Sequence, residues 1–233
     1  MPKICLIRQP AGLGDILFCQ KIAQHFKDQG YDIIWPVIKE FCWVKNYIED
    51  VNFPLVTKDF FKKDVYVSQR PIYEDNFIFL PLQDADQIYP YMLIFEAKYK
   101  MAGISYESWH KFINIKRNIQ KENDLYLKLN PKNEPYFFIN KYYGSPPGYK
   151  TIDYIPKFNI KTIENSFYDD FTVFDWLKIL ENAKEIHSVD TCLSCIIEGL
   201  LTIKGSLYLY SRYNPKSFHQ TQSLYSKNWN FVL

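Results

Sequence analysis

The sequence predicts an α/β protein with parallel sheets, built as two small halves that would face one another across a cleft. Short apolar runs alternate with longer segments of helical period, the pattern of buried strands feeding crossover helices. The series starts twice, at Ile4 and at Tyr136, each time as a strand running into a loop. Between the two starts, Asn118 to Pro135 turns polar, through Lys121-Glu122-Asn123-Asp124 and Asn130-Pro131-Lys132-Asn133-Glu134-Pro135. A domain boundary is expected there, dividing the chain into 1–128 and 129–233.

Each element follows from its local pattern. Ile4 to Ile7 reads as a buried strand, Gln9 to Gly14 as a tight loop, and Asp15 to Gln29 as one helix with Ile16, Cys19, Ile22, Ala23 and Phe26 on a single face, stopped by Gly30. Tyr31 to Trp35 is the second strand. Ile38 to Glu49 has helical period, Val65 to Ser68 and Phe77 to Leu82 read as strands, and Tyr91 to Met101 reads as a helix ending at Gly103. A further helix is expected from Ser105 to Lys116. In the second half, Tyr136 to Asn140 is a strand, Ser145-Pro146-Pro147-Gly148 a loop, Phe174 to Ala183 a helix, Glu185 to Ser188 a strand, Thr191 to Leu201 a helix, and Ser206 to Tyr210 a strand.

Composition removes several classes of function. With 233 residues, 47% hydrophobic and 23% charged, the chain can bury a core, which excludes disorder, collagen and coiled coil. Lys+Arg 28 against Asp+Glu 26 leaves a net charge of +2 with the basic residues scattered, so no footprint for nucleic acid is visible. Only Arg8, Arg70, Arg117 and Arg212 are arginine, and with 19 Tyr and 18 Phe the composition resembles the product of an AT-rich genome. Cys5, Cys19, Cys42, Cys192 and Cys195 are odd in number and lie mostly in apolar runs, so they read as reduced core thiols. Cys192 and Cys195 have the spacing of half a zinc site, but no second pair exists and packing is the better reading. No eighteen apolar residues run together, so no transmembrane segment is expected. Met1 to Ile7 shows no cleavage site, and a cytoplasmic protein is expected, with peripheral membrane contact left open. His25, His110, His187 and His219 show no ligand spacing.

Two loops carry the chemical signal. In the first, Gln9-Pro10-Ala11-Gly12-Leu13-Gly14-Asp15, glycines let backbone amides approach a ligand at a helix N-terminus, which favours anions. As a dinucleotide fingerprint it is incomplete, because Leu17 stands where the third glycine belongs, and NAD binding is weakly supported. Asp15 reads either as a helix cap or as a functional carboxylate. The second loop, Ile186-His187-Ser188-Val189-Asp190-Thr191, runs a strand into a helix that opens with Asp and Thr. Amides and a hydroxyl there suit a diphosphate, while Asp190 or Thr191 reads equally as an N-cap.

Together, Gly12-Leu13-Gly14-Asp15 and Asp190-Thr191-Cys192-Leu193-Ser194 resemble the two signature loops of the heptosyltransferase-like glycosyltransferases, glycosyltransferase family nine, of the GT-B fold. The helix Trp176 to Ala183 and the strand Leu207 to Tyr210 match that order, and Glu96-Ala97-Lys98-Tyr99 followed by Trp109 looks like a segment of related bacterial and viral proteins. The chain departs from the pattern at Cys192, where the family has Gly or Ser, and at Cys195, where it has His. It is also short for two complete Rossmann-like domains.

The resemblance implies an inverting enzyme that moves a hexosyl or heptosyl group from a nucleotide-sugar donor to a hydroxyl of a glycan or glycolipid acceptor. It implies Asp15 as general base, diphosphate binding at Ser188, Asp190, Thr191 and Cys192, and no metal cofactor. Lys141 is the expected cation near the diphosphate, or a solvated loop lysine. Glu198 is placed on the donor ribose, or is an exposed helical glutamate. Arg8, Gly12, Gly14, Lys98 and Tyr99 fall on the acceptor side. Arg8 reads also as a cap on the sheet edge, and Lys98 with Tyr99 as a plain helical face. A GT-A arrangement is the alternative, with Asp84-Ala85-Asp86 after an apolar strand as a site for Mn2+ or Mg2+. A non-catalytic nucleotide-sugar- or glycan-binding protein is the third reading.

Overall fold

The computed structural model describes residues 2–56, 66–144, 148–212 and 221–232. The chain divides into two compact units, Met1–Lys116 and Arg117–Leu233.

The first unit is built on a four-stranded sheet of β1 (Lys3–Ile7), β2 (Tyr31–Ile34), β3 (Ile72–Glu74) and β4 (Phe77–Leu80), in the order β2-β1-β4-β3. β1 is parallel to both neighbours, with Cys5 opposite Ile33 and Ile78, and β3 closes the sheet antiparallel to β4. Cys5, Leu6, Ile7, Phe79 and Leu80 are buried, as expected of strands covered on both faces. The expected single helix after the glycine loop is two, Leu13–Phe18 and Gln20–Asp28, broken at Cys19, where ψ swings to 4°. Helix thus begins two residues before Asp15, and Gly14 lies inside it rather than in the loop. Gly30, at φ +83°, ends the second helix as its position implies. Phe18 anchors the pair, its ring 4.5 Å from Phe95 and from Trp109 and 5.2 Å from Tyr99; a fully buried aromatic of this kind contributes about 2–3 kcal/mol.

Further expectations in this unit change. Ile38 to Glu49 holds a 3-10 helix over Lys39–Asn46, and the expected helix from Ser105 to Lys116 is only a 3-10 turn, Trp109–Phe112, because Ser108 turns left-handed at φ 58°. Of the expected strand Val65 to Ser68, Val65 lies outside the described residues, and Tyr66 and Val67 form a turn. The helix Ile94–Met101 lies within the expected Tyr91 to Met101, while β4 stops at Leu80 and Leu82–Asp84 and Ala85–Ile88 are a 3-10 turn and a short α-helix.

The second unit holds five parallel strands, β5 (Phe137–Asn140), β8 (Thr162–Glu164), β9 (Glu185–Val189), β10 (Ser206–Tyr210) and β11 (Trp229–Val232). A two-stranded hairpin, β6 (Tyr142–Tyr143) and β7 (Lys150–Thr151), sits between β5 and β8; the expected loop Ser145-Pro146-Pro147 lies outside the described residues. The sheet order β8-β5-β9-β10-β11, counting only the strands of this sheet, is 2-1-3-4-5, a doubly wound arrangement. Val173–Trp176 is a 3-10 turn leading into the helix Leu177–Asn182, and Cys192–Leu200 is the helix after β9.

The polar stretch expected as a boundary is a helix, Ile119–Leu129, capped by Asn118, whose side chain accepts from the Lys121 amide at 3.1 Å. It packs on the elements at 173–182 and so belongs to the second unit, which places the division at 116/117. Its polarity misleads because Glu122, 1% exposed, is a core residue here, neutralised by Arg117, which bridges it to Glu181 at 2.7 Å. No described helix is long and apolar enough to cross a membrane.

Candidate functional site

In an open parallel sheet, a crevice forms outside the carboxyl ends of the two strands whose crossovers leave in opposite directions. In the second unit those strands are β5 and β9. Their ends bring together Asn140 and Ser188, paired in register, and Thr191 at the start of the following helix. Asn140 Nδ2 lies 3.1 Å from Ser188 Oγ and 3.3 Å from Thr191 Oγ1, and its Oδ1 accepts from Asn165 at 3.0 Å. Asn140 is 1% exposed and Ser188 fully buried, so these polar groups are held by one another rather than by water.

Thr191 is the N-cap: its Oγ1 accepts from the Leu193 amide at 3.3 Å. Asp190 does not cap. Its Oδ1 accepts from the Tyr225 hydroxyl at 2.5 Å and lies 3.9 Å from the Arg212 guanidinium, whose Nε donates to the Asp190 carbonyl. Burial, with the Asp190 carboxylate beside it, raises Tyr225 well above the ordinary phenol range. Burial likewise pushes the Cys192 thiol up to about 11, against the pull of Arg212, so this cysteine stays a neutral thiol near neutral pH.

Lys141 directly follows β5 and pairs with Glu164 at 2.9 Å. Arg212, which follows β10 and touches the Asp190 loop directly, has no signal in the sequence beyond its place after an apolar strand. Neither Asn140 nor Tyr225 stands out in a sequence this rich in Asn and Tyr. Glu198 is 3% exposed, not exposed, and its carboxylate accepts from the Ser226 amide and hydroxyl, the Lys227 amide and the Trp229 indole. Both oxygens are occupied by Ser226, Lys227 and Trp229, around the start of β11.

In the first unit the equivalent crevice lies between β1 and β4. Arg8, Gln9 and the glycine loop leave the end of β1, and Asp84 follows β4. Asp15, third residue of the helix Leu13–Phe18, does not cap it; the N-cap is Gly12. Its Oδ1 accepts from the ammonium of Lys98, which also donates to Gln9 Oε1 at 2.8 Å. Lys98 is 2% exposed, whereas the Asp15 side chain keeps 29% of its surface in solvent. Gly12 stands at φ +86°, and a Cβ there would collide with Asp15 Oδ2.

Two other residues expected on the acceptor side are buried and bonded within the unit. Arg8, 5% exposed, is held by the Asp84 carboxylate and the carbonyls of Tyr66 and Ser68. Tyr99 is a core residue whose hydroxyl donates to the Phe18 carbonyl at 2.6 Å. Of the Asp84-Ala85-Asp86 motif, Asp84 is engaged by the Arg8 guanidinium and Asp86 is exposed; among the described residues no three His, Cys, Asp or Glu side chains gather.

Two Rossmann-like α/β units, each with a signature loop at the carboxyl edge of its sheet, constitute a GT-B type fold. The solved structure of the E. coli heptosyltransferase WaaC with ADP-2-deoxy-2-fluoro heptose carries that assignment, with a TM-score of 0.50 at 12% identity over 98% of this chain and 92% of that one. WaaC with ADP gives 0.47 at 12% identity over 98% and 90% of the two chains. The bacterial iron-containing dodecameric glycosyltransferase TibC from enterotoxigenic E. coli H10407 gives 0.49 at 8% over 90% and 58%. No protein-family model matches the chain, and no curated protein matches it significantly. The GT-A alternative is displaced by this fold.

Proposed function

We propose that the protein is an inverting glycosyltransferase that moves a sugar from a nucleoside-diphosphate donor to a hydroxyl of a glycan or glycolipid. The observation that carries the reading is the coincidence, in a GT-B type fold, of the β5/β9 switch point with the Asp190-Thr191 loop at the start of a nine-residue helix. WaaC was solved with an ADP-sugar analogue, which supports a donor of that chemical class here.

In this reading Thr191 and Cys192 line the diphosphate position, fully buried Ser188 supports them through Asn140 rather than touching the ligand, and Lys141 and Arg212 are the cations at the same sheet edge. The hydrogen bond from Asn140 fixes the Thr191 hydroxyl. The acceptor hydroxyl gives its proton to Asp15 Oδ2, for which no described residue supplies a donor, as its oxygen bonds to the anomeric carbon. The bond from that carbon to the diphosphate breaks, its electron pair leaves on the diphosphate, and the configuration inverts. Charge on the leaving group is met by the helix N-terminus and the two cations, with no step routed through a metal.

Calorimetric titration with ADP, GDP, UDP, CMP and dTDP, with NAD as control and with and without EDTA, tests the donor half. One nucleoside diphosphate is expected to bind saturably and independently of chelator, and Thr191→Val is expected to weaken it about tenfold. Asp15→Asn is expected to lower transfer about 10²- to 10⁴-fold, leaving a measurable residual rate, and to leave that binding intact. Silence across the panel, or full activity of Asp15→Asn, sinks the reading.

A further inference from the structure

The acceptor-side reading of Lys98 leaves unexplained why a lysine on the helix Ile94–Met101 is almost completely buried. A buried ammonium without partners is strongly disfavoured, and this one has two: Gln9 Oε1 at 2.8 Å and Asp15 Oδ1. Gln9 is itself fixed, its side-chain amide donating to the Ala11 carbonyl at 2.6 Å and its own carbonyl accepting from the buried indole of Trp35 at 2.9 Å. The next residue of the helix, Tyr99, is tied to the Phe18 carbonyl, so the lysine stem starts from a rigid backbone. Opposite Lys98, the second Asp15 oxygen lies over the α-carbon of Gly12, in the space a Cβ would take.

We infer that Lys98 is a positioning residue: its ammonium, set by Gln9, holds one oxygen of the Asp15 carboxylate and thereby aims the other at the acceptor hydroxyl. The inference rests on the reading of Asp15 as the base. A carboxylate on a helix surface rotates freely and presents either oxygen; one clamped by a desolvated ammonium on one side and a bare α-carbon on the other presents one. The proton removed from the acceptor resides on Asp15. A misaligned base costs rate far more than binding, because proximity to the reacting proton is lost while the donor contacts remain.

The test uses the full chain, with release of nucleoside diphosphate from UDP-, GDP-, ADP- and dTDP-sugars measured in the presence of a mixed oligosaccharide acceptor. Lys98→Met is expected to lower kcat about 10- to 100-fold with the donor KM changed less than about twofold. In the Asp15→Asn background, which keeps an oxygen for the ammonium, the same substitution is expected to add nothing, since both act through one carboxylate. Ethylamine, but not ethanol, is expected to restore Lys98→Ala several-fold by refilling the site with a primary ammonium. Thermal melts of every variant separate loss of fold from loss of rate. Wild-type kcat in Lys98→Met, effects of Lys98→Met and Asp15→Asn that multiply, or a loss that amine does not rescue overturns the positioning role. Full activity of Asp15→Asn overturns the base assignment itself, and absence of turnover with every donor overturns both.

Discussion

Glu198 gives the sharpest contrast between a residue that binds a ligand and one that holds the fold. Its Oε1 accepts from the Trp229 indole at 2.7 Å and the Lys227 amide at 3.1 Å, and its Oε2 from the Ser226 hydroxyl at 2.7 Å and amide at 2.9 Å. Glu198→Gln replaces one acceptor by a donor. With the new amide nitrogen at the Oε2 position, the Ser226 hydroxyl can turn to accept, but the Ser226 amide loses its partner and the remaining bonds lose their charge assistance. A bond to a charged group is worth about 1.5–3 kcal/mol and a neutral one about 0.5–1.5, so the loss is about 2 kcal/mol. For a chain of this size that corresponds to a fall of about 4–8 °C in Tm. Glu198→Ala additionally strands the Trp229 indole, which is 6% exposed and out of reach of water, and is expected to cost about 3–5 kcal/mol. Differential scanning calorimetry measures both, and, on the proposed function, whichever nucleoside diphosphate binds the wild type should bind the folded Gln variant with unchanged Kd. An unshifted Tm together with weakened nucleotide binding would refute this account and return Glu198 to the ribose.

Gly12→Ala is expected to reduce transfer at least tenfold, because the methyl displaces Asp15 Oδ2 and the backbone at φ +86° is strained for any side chain; steady-state kinetics with a melt as control checks this. Gly205→Ala drives a Cβ into the carbonyls of Ala183 and Lys184 beside the β9–β10 register and is expected to destabilise the second unit by about 2–3 kcal/mol in urea titration, without a specific effect on nucleotide affinity. Burial lowers the His187 pKa below its ordinary 6.5, only partly opposed by Glu185. The unfolded chain therefore takes up this proton first as pH falls, so the folded state loses stability below about 6.5 and is insensitive above it. His187→Gln is expected to flatten the Tm profile in that window, and an unchanged slope removes His187 as its source.

The carboxyl edge of each sheet was legible because its signals are local. The strands read at Ile4 to Ile7 and Glu185 to Ser188 run into loops whose Gly, Asp and Thr suit helix starts, and those features need only a few consecutive residues. Where pairing or burial is decided at long range, the local pattern carries no signal. β3, β8 and β11 are too short and too ordinary to stand out, and they exist because β4, β5 and β10 offer them an edge. The helix Ile119–Leu129 was hidden by its own polarity, since Glu122 becomes a core residue only when Arg117 folds onto it.

The site divides the same way. The sequence by itself determined the alternation of strand and helix, the two loops and the candidacy of Asp15, because periodicity, glycine placement and helix-start chemistry act within one turn of chain. Only the tertiary structure decided the partners: Lys98 against Asp15, 83 positions apart; Asn140 against Thr191, 51 apart; Arg8 against Asp84; and Glu198 against Trp229. The reason is desolvation. A charged or amide side chain in solvent accepts any partner or none, whereas one removed from water takes the group that the packing of strands and helices delivers to it.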